Sequence, residues 1–126
     1  MRTLTVIIIL CCLSLLSQPQ VASTHALPTR CEPGAGSAVK IPPPQVRIWF
    51  DDPLEPNSCT LRVHDGTGEW VDNKDCRVNA LNAKLLEVSL PFLPPGTYRV
   101  TWSVASKDGH RTQGDYTFTI KSPDRK

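Results

Sequence analysis

Five segments of the chain alternate apolar and polar residues with a period of two, and this pattern constrains the fold more than any other feature. It is strongest in TYRVTWSV, which starts at Thr97, and in DYTFTIK, which starts at Asp115. Three further segments, QVRIWF, SCTLRVH and LLEVSL, start at Gln45, Ser58 and Leu85. Such alternation predicts strands with one buried face. The predicted inward residues are Val46, Ile48, Phe50, Cys59, Leu61, Val63, Leu86, Val88, Leu90, Tyr98, Val100, Trp102, Val104, Tyr116, Phe118 and Ile120.

The residues between these segments are typical of the turns of an all-β domain. The turn sequences DGTG and LPPG separate neighbouring strands, and most of the 12 prolines lie between strands, where a missing N–H costs little. We expect about seven short strands, because no segment keeps a helical period over about 11 residues. The pattern predicts an all-β fold, a Greek-key β-sandwich or barrel of immunoglobulin-like type.

The N-terminal residues predict export. Arg2 precedes an apolar run from about Val6 to Leu16, and small and polar residues follow. This is the pattern of a signal peptide over residues 1–24, which leaves residues 25–126 as one domain. Cleavage after Ser23 fits the small-residue preference best, whereas only cleavage after Thr24 would make residue 25 the N-terminus. The formal net charge of +2 indicates neither a nucleic acid nor an anionic membrane as partner.

Three cysteines follow the signal peptide: Cys31, Cys59 and Cys76. In an oxidising compartment two of them are expected to pair, and three pairings are possible. Cys59 and Cys76 flank the DGTG turn, so an antiparallel return would bring them opposite one another, and we expect that disulfide. Cys31 would then be a buried small hydrophobe, a soft metal ligand or one half of an intermolecular disulfide.

The loop SKDGHRTQG places Asp108 and His110 two residues apart. Asp-Gly alone is an ordinary turn signal, and His64, beside the other turn, is expected to be a plain surface residue. His25 changes this interpretation, since it stands where the signal peptide ends. As residue one, it could chelate a metal through its α-amine and its imidazole together. The sequence therefore raises the hypothesis of a metal site.

The mature chain resembles the CopC family of periplasmic copper-binding proteins along nearly its whole length. HALPTRCEPGAGS is similar to the family's opening His-Ala and Ser-x-Pro-x-x-Gly element, with Cys31 at the Ser position. IWFDDPLEP resembles its Phe-Ser-Glu-Pro-Val segment. LPPGTYRVTWSVASKDGHRTQGDYTFTI resembles its closing segment, which includes Ser-x-Asp-Gly-His. The family fold, a Greek-key barrel or sandwich, agrees with the predicted strands.

The resemblance implies a Cu(II) site formed by His25, Asp108 and His110. It also places Asp52 at the family's acidic position, as a residue that supports the site or binds weakly, with Asp in place of Glu. Cu(II) favours tetragonal nitrogen and oxygen ligands, which these residues supply. Some family members carry a Met-rich Cu(I) site, but the only methionine here is Met1. We therefore expect Cu(II) binding without a thioether Cu(I) site.

Three classes of function fit these residues. The first, implied by the resemblance, is a periplasmic copper carrier or sequestering protein that works with a membrane transporter of the CopD type. The second is an oxidative copper enzyme, because an N-terminal His with a second His resembles the copper brace of lytic polysaccharide monooxygenases. The third is an immunoglobulin-like interaction module with no metal. We expect the carrier, which is not an enzyme.

Overall fold

A computed structural model of the chain describes residues 26–124. The predicted signal peptide, residues 1–24, and His25 lie outside this range. Within residues 26–124 no helix is long and apolar enough to cross a lipid bilayer. The strands are β1 (Pro28–Glu32), β2 (Ala38–Val39), β3 (Gln45–Phe50), β4 (Thr60–His64), β5 (Arg77–Val78), β6 (Leu85–Ser89), β7 (Gly96–Ala105) and β8 (Arg111–Ile120), with one 3₁₀ turn at Pro56–Ser58.

The strands form two four-stranded sheets. One sheet has the order β1-β3-β6-β5 and the other the order β2-β8-β7-β4. All pairs are antiparallel except β2 with β8, which is parallel. Neighbours in each sheet are mostly distant in sequence, as in a Greek key. The all-β, Greek-key sandwich predicted from the alternating segments is confirmed, with β1, β2 and β5 added at or near the sheet edges.

The core lies between the two sheets and consists mainly of the predicted inward residues, joined by Ala26, Leu54 and Leu93. All of them are buried except Cys59 and Tyr116, which are half-buried and pack against the core. Burying one aliphatic or aromatic side chain of this size contributes roughly 1.5–3 kcal/mol. The alternation therefore both specifies the strands and provides most of the driving force for closing the sandwich.

The expected Cys59–Cys76 disulfide is not formed in the structure, where both residues are free thiols. After the turn that follows β4, Trp70 forms an isolated bridge with His64, and the Asp72 carboxylate accepts hydrogen bonds from Arg62 and from the Val63 amide. The chain then crosses to the other sheet, where Cys76 directly precedes β5. The Cys76 thiol nevertheless interacts with the Leu61 backbone and with the Cys59 thiol, so the two cysteines lie near one another. The Cys59–Cys76 disulfide stays a prediction.

Cys31 is also a free thiol, half-buried on β1. Burial raises the pKa of its thiol, an effect that the neighbouring Tyr116 hydroxyl partly offsets. Burial likewise raises the pKa of Tyr116. A thiol that stays protonated reacts slowly, so this environment favours the interpretation of Cys31 as an inert core residue.

Candidate metal centre

The hairpin formed by β7 and β8 carries Asp108 and His110 at its tip. The two strands pair along their whole length, and the last pair is Ala105 with Arg111. Residues 106–110 are therefore held at one end of the sandwich by two strands of 10 residues each. A short loop on a long, rigid hairpin is a suitable support for ligands whose spacing must be fixed.

The loop is closed by hydrogen bonds among its own residues. The Ser106 amide donates to the His110 carbonyl at 2.9 Å, and the Gly109 amide donates to the Ser106 carbonyl at 2.9 Å. Gly109 has φ of +89°, in the left-handed region that favours glycine. Ser106 is 1% exposed, and its hydroxyl donates to Asp108 Oδ1. The sequence analysis assigned no role to Ser106, although the SKDGH motif contains it.

Asp108 and His110 lie side by side, as the two-residue spacing predicts. Asp108 Oδ1 accepts the His110 amide at 3.0 Å, and Asp108 Oδ2 lies 2.9 Å from His110 Nδ1. An ionised carboxylate can only accept, so this contact assigns the proton to Nδ1 and metal binding to Nε2. Carboxylate contacts of this kind orient many metal-binding histidines. The His110 side chain is 59% exposed, so an ion can reach it from solvent.

The cations beside this loop are directed toward other partners. Lys107 Nζ lies 3.6 Å from Glu55 Oε2. Arg111 donates to the Ser58 carbonyl at 3.0 Å and to the Ser103 hydroxyl at 2.9 Å. These contacts hold both side chains in place. The Asp108 carboxylate is therefore the charged group that acts most directly on an ion at His110.

His64 lies far from this loop. It pairs with Arg99 on β7, whereas the loop begins after Ala105. Six residues of strand separate the two positions, a distance of roughly 20 Å. The His64 ring packs edge-on against Trp70 with 5.2 Å between centroids, and its Nδ1 lies 3.1 Å from the Asp65 carbonyl. The structure thus keeps His64 out of the candidate site.

Asp52 lies in the segment that passes beside the loop. It is half-buried, and Leu54, two residues later, forms an isolated bridge with Ser106. The Glu55 amide donates to the Ala105 carbonyl at 2.8 Å. This placement agrees with a supporting role for Asp52, which stays a prediction. Its neighbour Asp51, for which the sequence indicated no role, exchanges two hydrogen bonds with Leu27.

Within residues 26–124 no group of three or more His, Cys, Asp and Glu side chains is arranged to hold a metal ion. Asp108 and His110 supply two donors, and the third predicted ligand, His25, lies outside the described range. An imidazole nitrogen and a carboxylate oxygen are donors that suit a divalent copper ion. The pair therefore fits the partial ligand set that the sequence predicts.

The chain is similar to two longer or similarly sized relatives, one of which bears a name connected with copper. Over 113 residues, 89% of this chain, it is 32% identical to the copper transport protein CutJ of Bacillus subtilis. Over 98 residues, 77% of this chain, it is 34% identical to protein YobA of Escherichia coli. The chain spans 21% of CutJ and 79% of YobA.

Solved structures share the fold. CopC from Methylosinus trichosporium OB3b matches with a TM-score of 0.71 at 28% identity, over 80% of this chain and 98% of that chain. PcoC, a methionine-rich copper resistance protein from Escherichia coli, matches with a TM-score of 0.68 at 28% identity, over 77% of this chain and 99% of that chain. The family model described as the CopC domain matches residues 29–121, from β1 to the end of β8. This chain therefore belongs to the CopC family.

Proposed function

We propose that the exported chain binds one Cu(II) ion through His25, Asp108 and His110. The observation that carries the proposal is the Asp108–His110 pair at the tip of the hairpin, close to the start of the described chain. Ala26, the residue after His25, accepts a hydrogen bond from Thr112, two residues beyond His110. This bond holds residue 26 beside β8 near the loop, which supports the proposal that residue 25 supplies the third ligand.

The ligand chemistry favours Cu(II). The His25 α-amine and imidazole would chelate the ion, and His110 would add an imidazole nitrogen and Asp108 an oxygen, which together approximate a tetragonal nitrogen-rich set. Because an ion at Nε2 lies across the ring from the Asp108 oxygen at Nδ1, this contact must open for both side chains to bind the same ion. PcoC is described as methionine-rich, whereas this chain has a single methionine, Met1, in the predicted signal peptide. We therefore propose a Cu(II) protein without a thioether Cu(I) site.

The proposed role is to sequester copper in the periplasm or to carry it to a membrane transporter of the CopD type. The relative CutJ, a copper transport protein of which this chain spans 21%, supports a link to transport. Export, which the N-terminal residues predict, would place the chain on the same side of the membrane as incoming copper. Family membership favours this binding role over the copper enzyme and the metal-free interaction module.

The test compares His110→Ala with His64→Ala, because both remove an imidazole but only one touches the candidate site. Cu(II) affinity is measured by competition with a chelator of known strength, and the ligand set by EPR. His110→Ala should weaken binding by about 100-fold or more, the scale of losing one well-formed ligand interaction. His64→Ala should leave affinity unchanged. Equal losses in the two variants would reject the assignment.

A second experiment tests the role of the N-terminus. Two proteins are prepared, one beginning at His25 and one at Thr24, and mass spectrometry of the exported protein shows which form occurs. The Thr24 form must replace the His25 amine with its own amine and an ionised amide, so we expect at least about tenfold weaker Cu(II) binding, or about 1.4 kcal/mol. Equal affinities would show that the free His25 amine is not a ligand.

A further inference from the structure

The first described residues are held to both sheets by side-chain hydrogen bonds. The Leu27 amide donates to Asp51 Oδ1 at 2.8 Å, and the Asp51 amide donates to the Leu27 carbonyl at 2.9 Å. The Thr112 hydroxyl donates to the Ala26 carbonyl at 2.7 Å. Asp51 directly follows β3 in one sheet, and Thr112 lies on β8 in the other. Residues 26 and 27 are therefore fixed between the two layers.

Burial strengthens this attachment. Ala26 is 1% exposed and belongs to the core cluster, although it precedes the first strand. Thr112 pairs with Val104 and shares the inward face of β8 with Phe118 and Ile120. Its hydroxyl thus reaches the Ala26 carbonyl in a partly buried hydrogen bond, whereas the Leu27–Asp51 bond is exposed. Buried hydrogen bonds contribute more to stability than exposed ones, because a buried group that loses its partner cannot fully replace it with water.

With the predicted signal peptide removed, residues 26 and 27 lie beside the N-terminus, where most domains are loosely ordered, so their attachment needs an explanation. We propose that Asp51 and Thr112 form an N-terminal clamp, a pair of positioning residues that holds residues 26 and 27 so that the α-amine end meets the Asp108–His110 loop. The inference rests on the proposed copper site. Neither clamp residue needs to contact the ion.

The spacing along the chain supports this role. Residue 25 is one peptide unit, about 3.8 Å, from Ala26. Thr112 is two residues from His110, roughly 7 Å along a strand. The Thr112–Ala26 hydrogen bond thus joins two short stretches of chain, one of which leads to residue 25 and the other to His110. A site assembled before the ion arrives avoids the entropy cost of ordering the N-terminal residues on binding, and this saving raises affinity.

The test removes each clamp bond and then restores it. Thr112→Val and Asp51→Ala remove the bonds, while Thr112→Ser and Asp51→Asn keep a hydroxyl and a side-chain oxygen. Thr29→Val is the matched control: Thr29 lies on β1 and donates a similar bond to the Trp49 carbonyl at 3.2 Å, farther from the N-terminus. All proteins begin at His25. The two measurements are Cu(II) affinity and hydrogen exchange of the Leu27 amide in the metal-free protein.

We expect Thr112→Val and Asp51→Ala each to bind Cu(II) about tenfold more weakly, which matches the entropy of ordering about one residue. Leu27 exchange should accelerate in both metal-free variants. Thr112→Ser and Asp51→Asn should restore most of the affinity, since they keep the donor or acceptor. Thr29→Val should stay within about twofold of the parent.

Several results would overturn the clamp. Affinities of Thr112→Val and Asp51→Ala within about twofold of the parent would do so even if Leu27 exchange accelerates. So would a loss in Thr29→Val equal to theirs, which would indicate general destabilisation. A failure of Asp51→Asn to restore binding would assign Asp51 a charge or ligand role. A parent protein that binds no Cu(II) would reject the proposed function itself, whereas normal parent binding with unaffected variants rejects only the clamp.

Discussion

Gly114 offers a quantitative test of how the hairpin below the loop is packed. It lies on β8 opposite Trp102 of β7. A Cβ added at Gly114 would stand 2.6 Å from Trp102 Cζ2, 3.0 Å from Cε2 and 3.2 Å from Nε1. Carbon atoms in contact prefer a separation of about 3.5–4.0 Å, so Gly114→Ala forces either the indole or the strand to move.

The indole has little room to move. Trp102 is 8% exposed and packs edge-on against Phe50, with 5.3 Å between ring centroids. Overpacking of this kind costs about 1–3 kcal/mol. Replacing glycine by alanine also stabilises a compatible site by about 0.4–1 kcal/mol, because the unfolded chain loses freedom. The net expectation for Gly114→Ala is a destabilisation of about 1–2 kcal/mol, which lowers Tm by roughly 4–16 °C in a domain of this size.

Urea unfolding followed by tryptophan fluorescence measures this difference. Gly66→Ala is the matched control, since nothing lies within 4 Å of a Cβ added at Gly66. We expect Gly66→Ala to be neutral or slightly stabilising. If Gly114→Ala is as stable as the parent, the close approach of Trp102 to the β8 backbone is wrong, and with it the packing of the hairpin that supports the loop.

Three further predictions follow from the chemistry of single groups. Cu(II) affinity should fall as the pH is lowered, because amine and imidazole ligands bind only after losing their protons. A chelator competition at pH 7.5, 6.5 and 5.5 measures this affinity, and no change across that range would contradict the ligand set. Hydrogen bonds from the Ser89 hydroxyl and amide hold the pKa of Asp75 below its ordinary value, so Asp75→Asn should destabilise the protein at neutral pH. The difference in the free energy of unfolding between this variant and the parent should disappear as acid protonates Asp75 in both the folded and the unfolded parent. Burial raises the pKa of Cys76 to about 11, so its thiol stays protonated at pH 8. Iodoacetamide at that pH should modify Cys76 slowly in the folded protein and rapidly in urea, and equal rates would contradict its burial.

The sequence predicted those strands whose alternation is long enough to read locally. β3, β4 and β6 lie within segments with a clear period of two, whereas β7 and β8 contain most of such a segment and begin before it, β8 by four residues. β2 and β5 contain two residues each, too few for any period. β1 has five residues, but four are exposed, because it is an edge strand in which little alternation is required. These strands are specified by their partners and not by their own pattern.

The same division between local and distant determinants explains which part of the site was predictable. Asp108 and His110 are two residues apart on one loop, so their approach follows from the turn alone. The Thr112–Ala26 bond joins residues 86 positions apart, and the Asp51–Leu27 bond joins residues 24 apart. The period of two places Thr112 on the face opposite to Thr117 and Thr119, but nothing near it in sequence indicates that its partner is Ala26. Its contact exists only because the core aligns β8 with the segment before β1, and a mutation that shifts either sheet should therefore alter the candidate site without touching a ligand.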